Sequence, residues 1–214
     1  GVIWKAMENG GNQAVKLVFT VVLARLLDPE NYSTLSLMMI IINIADVIVK
    51  RGFATGLIQR KDADNVDFSS VLWLTLAFAA VLYAGLFFAA PAISVFYDDP
   101  IIVPAMRVAA LTLFSGAFNS IQSAIVQRKM EFRHFCIATL GATLLSGGVG
   151  IYMAYAGYGV WALVAQQMIS SIGNVLFLWL LDRWRPAFVF SMERIRALFS
   201  FGWKLLLSSL LDTG

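Results

Sequence analysis

HFCIATLGATLLSGGVGIYMAYAGYGVWALVAQQMISSIGNVLFLWLL, residues 134–181, contains no Asp, Glu, Lys or Arg side chain. A helix rises about 1.5 Å per residue, so this stretch is too long for one crossing of a bilayer and suits two. The segment Ala156-Gly157-Tyr158-Gly159 lies in the middle of the stretch, and its glycines permit a tight reversal. The sequence therefore predicts two antiparallel membrane helices joined by a short turn.

The composition of the whole chain is that of an integral membrane protein. Of the 214 residues, 59% are hydrophobic and only 14% are charged, which is rare for a soluble domain of this size. Loop residues that fix membrane topology explain the net charge of +3, so no nucleic-acid partner is expected. Cys136 and His134 are each the only residue of their type. Neither a disulfide framework nor a metal site is therefore expected, and no cofactor is expected.

The hydrophobic pattern outside residues 134–181 predicts an all-α, polytopic transmembrane bundle with six spans and the start of a seventh. The approximate bounds of these spans are 2–27, 32–49, 69–96, 101–126, two spans within 134–181, and a seventh from 198. We expect three regions: an N-terminal six-helix lobe (1–181), a basic cytoplasmic linker (182–197) and a truncated first helix of a second lobe (198–214). Since the chain begins without methionine and stops inside an apolar run, we interpret it as a fragment of a longer protein.

Basic residues alternate between the connections. The loops after the second, fourth and sixth predicted spans hold most of them: Lys50, Arg51, Arg60 and Lys61, then Arg128, Lys129 and Arg133, then Arg183, Arg185, Arg194 and Arg196. The loops after the odd spans hold only Arg25, and two of them are acidic. By the positive-inside rule, the even loops and the N-terminus face the cytoplasm.

Several predicted spans carry a polar stripe along one face. In the first span the stripe consists of Lys5, Glu8, Asn9, Asn12, Gln13, Lys16 and Thr20, which fall within an arc of roughly 140° on a helix. Similar positions in later spans are Ser36, Asn43 and Asp46, then Arg107, Asn119 and Gln122, then Gln166, Ser170, Ser171 and Asn174, and finally Lys204, Ser208 and Asp212. A helix in lipid tolerates such a stripe only where it faces protein or water. We therefore expect a shared hydrophilic cavity.

The charged residues within the spans are the candidate functional groups. Lys16 and Arg107 have no acidic residue nearby in sequence, and a buried unpaired cation is costly. We expect them, with Lys204 and Lys5, to bind an anionic cargo.

Other interpretations of these polar and charged residues stay open. Lys5 is equally consistent with snorkelling to the membrane surface. The amides Asn12, Gln13, Asn43, Asn119 and Gln122 are expected to line the cavity, or else to hydrogen-bond between helices. Glu8 and Asp46 either pair with nearby lysines or couple transport to an ion. No catalytic constellation is present in the sequence, so an enzyme is not expected.

A set of short motifs, in order along the chain, resembles one family of transporters. The motifs are LARLLDPENY (23–32), GLIQRK (56–61), FYDDP (96–100), YGVWALV (158–164) and SFGWKLL (200–206). Together they resemble the Wzx-type polysaccharide flippases of the MOP exporter superfamily, and are most similar to its colanic-acid exporter branch. The resemblance covers essentially the whole chain.

The resemblance implies a bacterial inner-membrane protein with two six-helix lobes around a central, often cationic cavity. The implied cargo is an oligosaccharide repeat unit on an isoprenoid pyrophosphate, moved across the membrane by alternating access. Implied partners are this lipid-linked substrate, membrane lipids, and polysaccharide polymerase and export machinery. By position, Lys16, Arg107 and Lys204 would attract the pyrophosphate or acidic sugars.

Two other functions are alternatives to the flippase. A MATE-type multidrug or cation antiporter would require acidic rather than basic residues in its cavity. A membrane enzyme of polysaccharide assembly would usually carry a sizeable extramembrane loop or an acidic metal-binding motif, and no loop of this chain is long enough.

Overall fold

The described part of the chain is helical. The computed structural model describes residues 2–27, 29–59, 64–129, 132–181, 185–187 and 191, and these residues contain no strand. The helices are α1 (Val2–Leu26), α2 (Pro29–Gln59), α3 (Asn65–Tyr97), α4 (Ile102–Ala109), α5 (Thr112–Lys129), α6 (Phe132–Tyr155) and α7 (Val160–Leu181). The predicted all-α fold class is confirmed for these residues.

Within the described ranges, four helical stretches are long and apolar enough to cross a membrane. They are Asn65–Tyr97, Ile102–Val126, Arg133–Tyr155 and Val160–Leu181, and they correspond to the predicted spans three to six. A shorter apolar stretch, Tyr32–Val47, lies within α2. The predicted seventh span and most of the predicted linker lie outside the described residues, so the count of six spans and a seventh stays a prediction.

Two predicted boundaries differ from the structure. The second span was expected to end at Val49, but α2 continues to Gln59, so Lys50 and Arg51 belong to a helix and not to a loop. The predicted span ends before Lys50 because this is the first cation after the apolar run. A helix can nevertheless continue beyond the hydrocarbon layer of a membrane, so the end of the apolar run does not mark the end of the helix. The predicted span 101–126 is divided into α4 and α5. At this junction the Leu111 and Leu113 N–H groups donate to carbonyls three residues earlier, which is the tighter 3₁₀ pattern.

The turn between α6 and α7 contains the two glycines that were predicted to form it. Gly157 has φ 81° and Gly159 has φ 54°, a left-handed conformation that glycine adopts without steric strain. The two helices then pack closely, because a Cβ at Gly150 would lie only 3.1 Å from the Cβ of Gln166. The predicted antiparallel pair is thus present.

The connection between α3 and α4 is fixed by its two aspartates, as expected for a turn followed by a helix start. Asp98 has φ 53° and ends α3. One carboxylate oxygen of Asp99 accepts from the Ile101 N–H at 3.0 Å. The other accepts from the Thr34 hydroxyl of α2 at 2.8 Å, so the start of α2 is joined to this corner.

The packing order of the helices places α1 at one end of the bundle's contacts. α1 packs on α6, α6 on α7, α7 on α5, and α5 on α2 and α3. The largest buried apolar cluster of the described residues joins α2, α3, α4, α5 and α7. α1, α5, α6 and α7 line one common space, which we refer to as the trough.

The apolar helix α3 is exposed over only part of its length. Its middle and end expose large side chains such as Phe78, Val81 and Phe88. Its first two turns are buried instead, from Asp67 to Leu72, because they pack against α5.

Candidate functional site

The trough between α1 and α5 contains a polar cavity of about 370 Å³. Within the part of the chain that the structure describes, thirteen residues from α1, α5, α6 and α7 line it: Lys16, Phe19, Thr20, Asn119, Thr139, Ala142, Thr143, Ser146, Gln166, Gln167, Ser170, Ser171 and Asn174. Polar side chains from four helices meet here. Three of these helices, α1, α5 and α7, carry polar stripes that the sequence identified, whereas the stripes of α2 and α4 contribute no residue to this lining.

The electrostatic character of the cavity is set by Lys16. It is the one charged residue among the thirteen, and no carboxylate is among them. Ten of the others are Ser, Thr, Asn or Gln, which can donate and accept hydrogen bonds. A single cation surrounded by uncharged hydrogen-bonding groups makes the electrostatic potential in the cavity positive. The cavity is suited to a polar, anionic molecule.

The position of Lys16 depends on how α1 docks on α6. One turn before Lys16, the Asn12 amide oxygen accepts from the Thr143 hydroxyl at 2.8 Å. One turn after it, the Phe19 ring lies directly against Gly147, where a Cβ would overlap the ring. These two contacts bracket Lys16 and orient its face of α1 toward the cavity.

The wall between α5 and α7 is held by side-chain hydrogen bonds. The hydroxyls of Ser115 and Ser171 are 2.6 Å apart. The Gln122 amide donates to the Val175 carbonyl at 3.2 Å. Interhelical bonds of this kind contribute about 0.6 kcal/mol each on average in membrane bundles. Polar residues at this wall therefore serve helix packing as well as the cavity surface.

The candidate residues that lie at or beside the cavity take two roles. Lys16 and Asn119 line the cavity. Asn12 and Gln122 lie beside it and bond neighbouring helices, which agrees with the structural alternative for the amides.

Other candidates lie elsewhere. Gln13 and Asn43 are exposed and are not among the lining residues. Asp46 is half-buried on α2. The side chains of Lys5 and Glu8, and the whole of Lys204, lie outside the described part of the structure.

Arg107 is separate from the Lys16 cavity. It lies on α4 and is not among the lining residues. Its guanidinium carbon is 3.9 Å from the centre of the Phe87 ring, which is a cation–π arrangement. Its Nε is buried without a hydrogen-bond partner. The structure therefore does not bring the two predicted cations together.

The polar lining from α6 was missed by the sequence analysis. Thr139, Thr143 and Ser146 recur at four- and three-residue spacing, so they share one face of the helix. Each stripe that the sequence identified includes at least one charged or amide side chain, whereas this face of α6 carries hydroxyls alone. Hydroxyl periodicity within the uncharged stretch was the signal that could have found them.

Known proteins match nearly the whole chain. Residues 22–214 match the family described as polysaccharide biosynthesis protein. The chain belongs to this family. Membership confirms the resemblance to polysaccharide transport proteins that the sequence motifs indicated.

Three curated relatives are similar to this family member. The succinoglycan biosynthesis transport protein ExoT of Rhizobium meliloti (strain 1021) is 26% identical over 93% of the chain and 41% of ExoT. The teichuronic acid biosynthesis protein TuaB of Bacillus subtilis (strain 168) is 28% identical over 74% of the chain and 33% of TuaB. The lipopolysaccharide biosynthesis protein WzxC of Escherichia coli (strain K12) is 22% identical over 99% of the chain and 44% of WzxC.

The chain spans less than half the length of each of these relatives. No solved structure is significantly similar to this family member.

Proposed function

We propose that the protein of which this chain is part translocates oligosaccharide repeat units, carried on an isoprenoid pyrophosphate, across the bacterial cytoplasmic membrane. It would do so by alternating access, with residues 1–181 as one lobe, 182–197 as a cytoplasmic linker and 198–214 as the first helix of a second lobe. The N-terminus would face the cytoplasm. The observation that carries the proposal is Lys16 in a polar cavity whose thirteen lining residues include no acid.

The charge of the cavity supports an anionic cargo. Because the described lining places no carboxylate beside Lys16, its ammonium group is available to an anionic ligand. A pyrophosphate or an acidic sugar would provide that anion. Lys16 is exposed on its face of α1, so the ammonium group can be reached by such a ligand.

The uncharged lining supports a carbohydrate. Sugar hydroxyls both donate and accept, and so do the Ser, Thr, Asn and Gln side chains of this cavity. Its volume of about 370 Å³ lies within the range of ligand sites, roughly 300–1,000 Å³. A repeat unit would be held by many weak polar contacts and one cationic contact.

We also propose roles for the other charged candidate residues. Arg107 would provide a second, separate cation. Lys5 on α1 and Lys204 in the second lobe would also attract the anionic cargo. Glu8 and Asp46 would couple transport to an ion. Polysaccharide polymerase and export machinery would be partners.

A cation antiporter is less well supported by the same cavity. Organic cations would require acidic groups in the lining, whereas Lys16 is the only charged residue among the described residues that line it. Drug-resistance profiles of an overexpressing strain separate the two functions, and we expect no added resistance.

Deletion of the intact gene in its own host tests the proposal. We expect the lipid-linked oligosaccharide to accumulate in the inner leaflet while polymer outside the cell disappears. A strain in which the lipid-linked unit never forms would contradict the proposal, because the protein would then act upstream as an enzyme of assembly. Complementation with the intact gene is the control.

A further inference from the structure

The hydroxyl groups that line the cavity use most of their hydrogen atoms within the protein. Among the described lining residues, those with a hydroxyl are Thr20, Thr139, Thr143, Ser146, Ser170 and Ser171. A hydroxyl group has one hydrogen that it can donate and two lone pairs that can accept. The partner that takes the hydrogen therefore decides which of these two capacities is left for a bound molecule.

Three of these hydroxyls donate to backbone carbonyls three or four residues earlier on the same helix. The pairs are Thr20 with Lys16 at 2.8 Å, Thr139 with Phe135 at 2.8 Å, and Ser146 with Thr143 at 3.1 Å. Since a carbonyl oxygen can only accept, the hydroxyl is the donor in each pair. The Thr143 hydroxyl donates to the Asn12 amide oxygen of α1. These four side chains keep only lone pairs for a ligand.

The direction of the Ser171 hydrogen bond follows from the number of hydrogens available. The hydroxyl oxygens of Ser171 and Ser115 are 2.6 Å apart, and either could donate. Ser115 already donates its one hydrogen to the Thr112 carbonyl at 3.0 Å. Ser171 is therefore the donor to Ser115. Five of the six described lining hydroxyls thus act toward a ligand as acceptors.

Three of these five acceptors lie where a ligand can reach them. Thr20 is exposed, and Thr139 and Ser171 are half-buried, whereas Thr143 and Ser146 are only 4% and 2% exposed. A molecule that binds against Thr20, Thr139 or Ser171 must therefore supply the hydrogen of the hydrogen bond.

Thr139 lies well away from the cation of the lining. α1 and α6 run in the same direction, since their mutual contacts advance together along both helices. Thr139 precedes Thr143 by one turn. Lys16 follows Asn12, the partner of Thr143, by one turn, so the levels of Lys16 and Thr139 differ by about 11 Å. An anionic group at Lys16 and the group that meets Thr139 therefore belong to different parts of a ligand.

We propose that the cavity selects a sugar by its free hydroxyl or N–H groups, whose hydrogens Thr139 and Ser171 accept. The inference rests on the proposed function only in taking the cargo to be a carbohydrate. A sugar whose hydroxyls are acylated or alkylated keeps the oxygen atoms and loses the hydrogens, so acceptor would face acceptor. Thr139 could donate instead only by giving up the Phe135 carbonyl, and leaving a hydrogen bond unmade in a partly buried site is costly.

The test measures the affinity of the full-length protein for two disaccharide probes by saturation-transfer NMR. Each probe joins one glucuronic acid ring to one glucose ring, and in the second probe the hydroxyls of the glucose ring are O-methylated. Both probes carry one carboxylate, so the contribution of Lys16 is the same for both. We expect the free disaccharide to bind about tenfold more tightly, which corresponds to the loss of two ordinary hydrogen bonds.

Thr139→Val separates the lost hydrogen bond from the added bulk of the methyl groups. It keeps the shape of the side chain and removes the acceptor, so the preference should fall to about threefold. Thr139→Ser keeps the hydroxyl and should retain the preference. The matched control is Thr75→Val, because Thr75 makes the same kind of bond, to the Val71 carbonyl at 2.7 Å, but is buried on α3 and is not among the lining residues. This control should bind both probes as the wild-type protein does.

The inference is overturned if the wild-type protein binds the two probes equally, if neither probe binds, or if Thr139→Val and Thr75→Val show the same preference. Failure of the proposed function is a separate result, because the gene deletion decides translocation without these probes. Equal affinities, together with a lipid-linked unit that accumulates on deletion, would contradict the inference alone. The expected preference, together with a deletion that changes neither pool, would contradict translocation alone.

Discussion

Replacement of Lys16 by Gln in the full-length protein is expected to reduce polysaccharide export by about 10- to 100-fold. Among the described residues that line the cavity, the substitution removes the only charge. A hydrogen bond to a charged group contributes roughly 1.5–3 kcal/mol, and each 1.4 kcal/mol corresponds to about tenfold in affinity. Lys16→Arg keeps the charge and should retain a larger part of the export. Polymer outside the cell, normalised to the amount of protein in the membrane, measures the effect.

Arg25→Gln is the control for the Lys16 variants. Arg25 lies on the same helix, is exposed and is not among the lining residues, so its replacement should leave export near the wild-type level. Normal export by Lys16→Gln at normal protein levels would contradict the role of Lys16 in cargo binding. Equal losses in the Lys16 and Arg25 variants would indicate a general effect of charge on insertion.

Gly147→Ala is expected to lower the stability of the bundle and displace α1. A Cβ at this position would overlap the ring of Phe19, whereas nothing lies within 4 Å of a Cβ at the neighbouring Gly148. Overpacking of this kind costs about 1–3 kcal/mol. Because the Phe19 contact also brackets Lys16, export should fall together with the midpoint of thermal unfolding in detergent.

Gly148→Ala is the matched control, and it should be neutral or slightly stabilising, since alanine favours a helix over glycine. Removing the ring with Phe19→Ala should relieve part of the penalty in the Gly147→Ala background, giving a non-additive double-mutant cycle. If the Gly147→Ala and Gly148→Ala variants unfold at the same temperature, that result would contradict the close contact between Gly147 of α6 and the Phe19 ring of α1.

The parts of the fold that the sequence could predict are those that depend on local patterns. The absence of charge over residues 134–181 and the glycines at its centre were enough to predict α6, α7 and their turn. Helical periodicity in α1 identified the face that carries Lys16, because a stripe defines a face of its own helix.

A stripe does not identify the neighbour that it faces. Asn43 and Lys16 were expected to share one cavity, but Asn43 lies on an exposed face of α2 away from the lining. Arg107 was assigned to the same cavity for the same reason, and it stacks on Phe87 instead. The hydrogen bonds that join Ala187 and Ser191 to α3 could not be predicted, because these two residues contribute backbone N–H and carbonyl groups, which leave no trace in a sequence pattern.

Transport by the purified full-length protein in proteoliposomes tests the central claim most directly. Lipid-linked oligosaccharide extracted from the deletion strain would be placed in the membrane, and its exposure on the outer side followed with an impermeant sugar-modifying reagent. We predict that wild-type protein makes the inner pool accessible and that Lys16→Gln protein does so much more slowly. An inner pool that stays protected in the presence of folded wild-type protein, under proton and sodium gradients of either direction, would contradict the account.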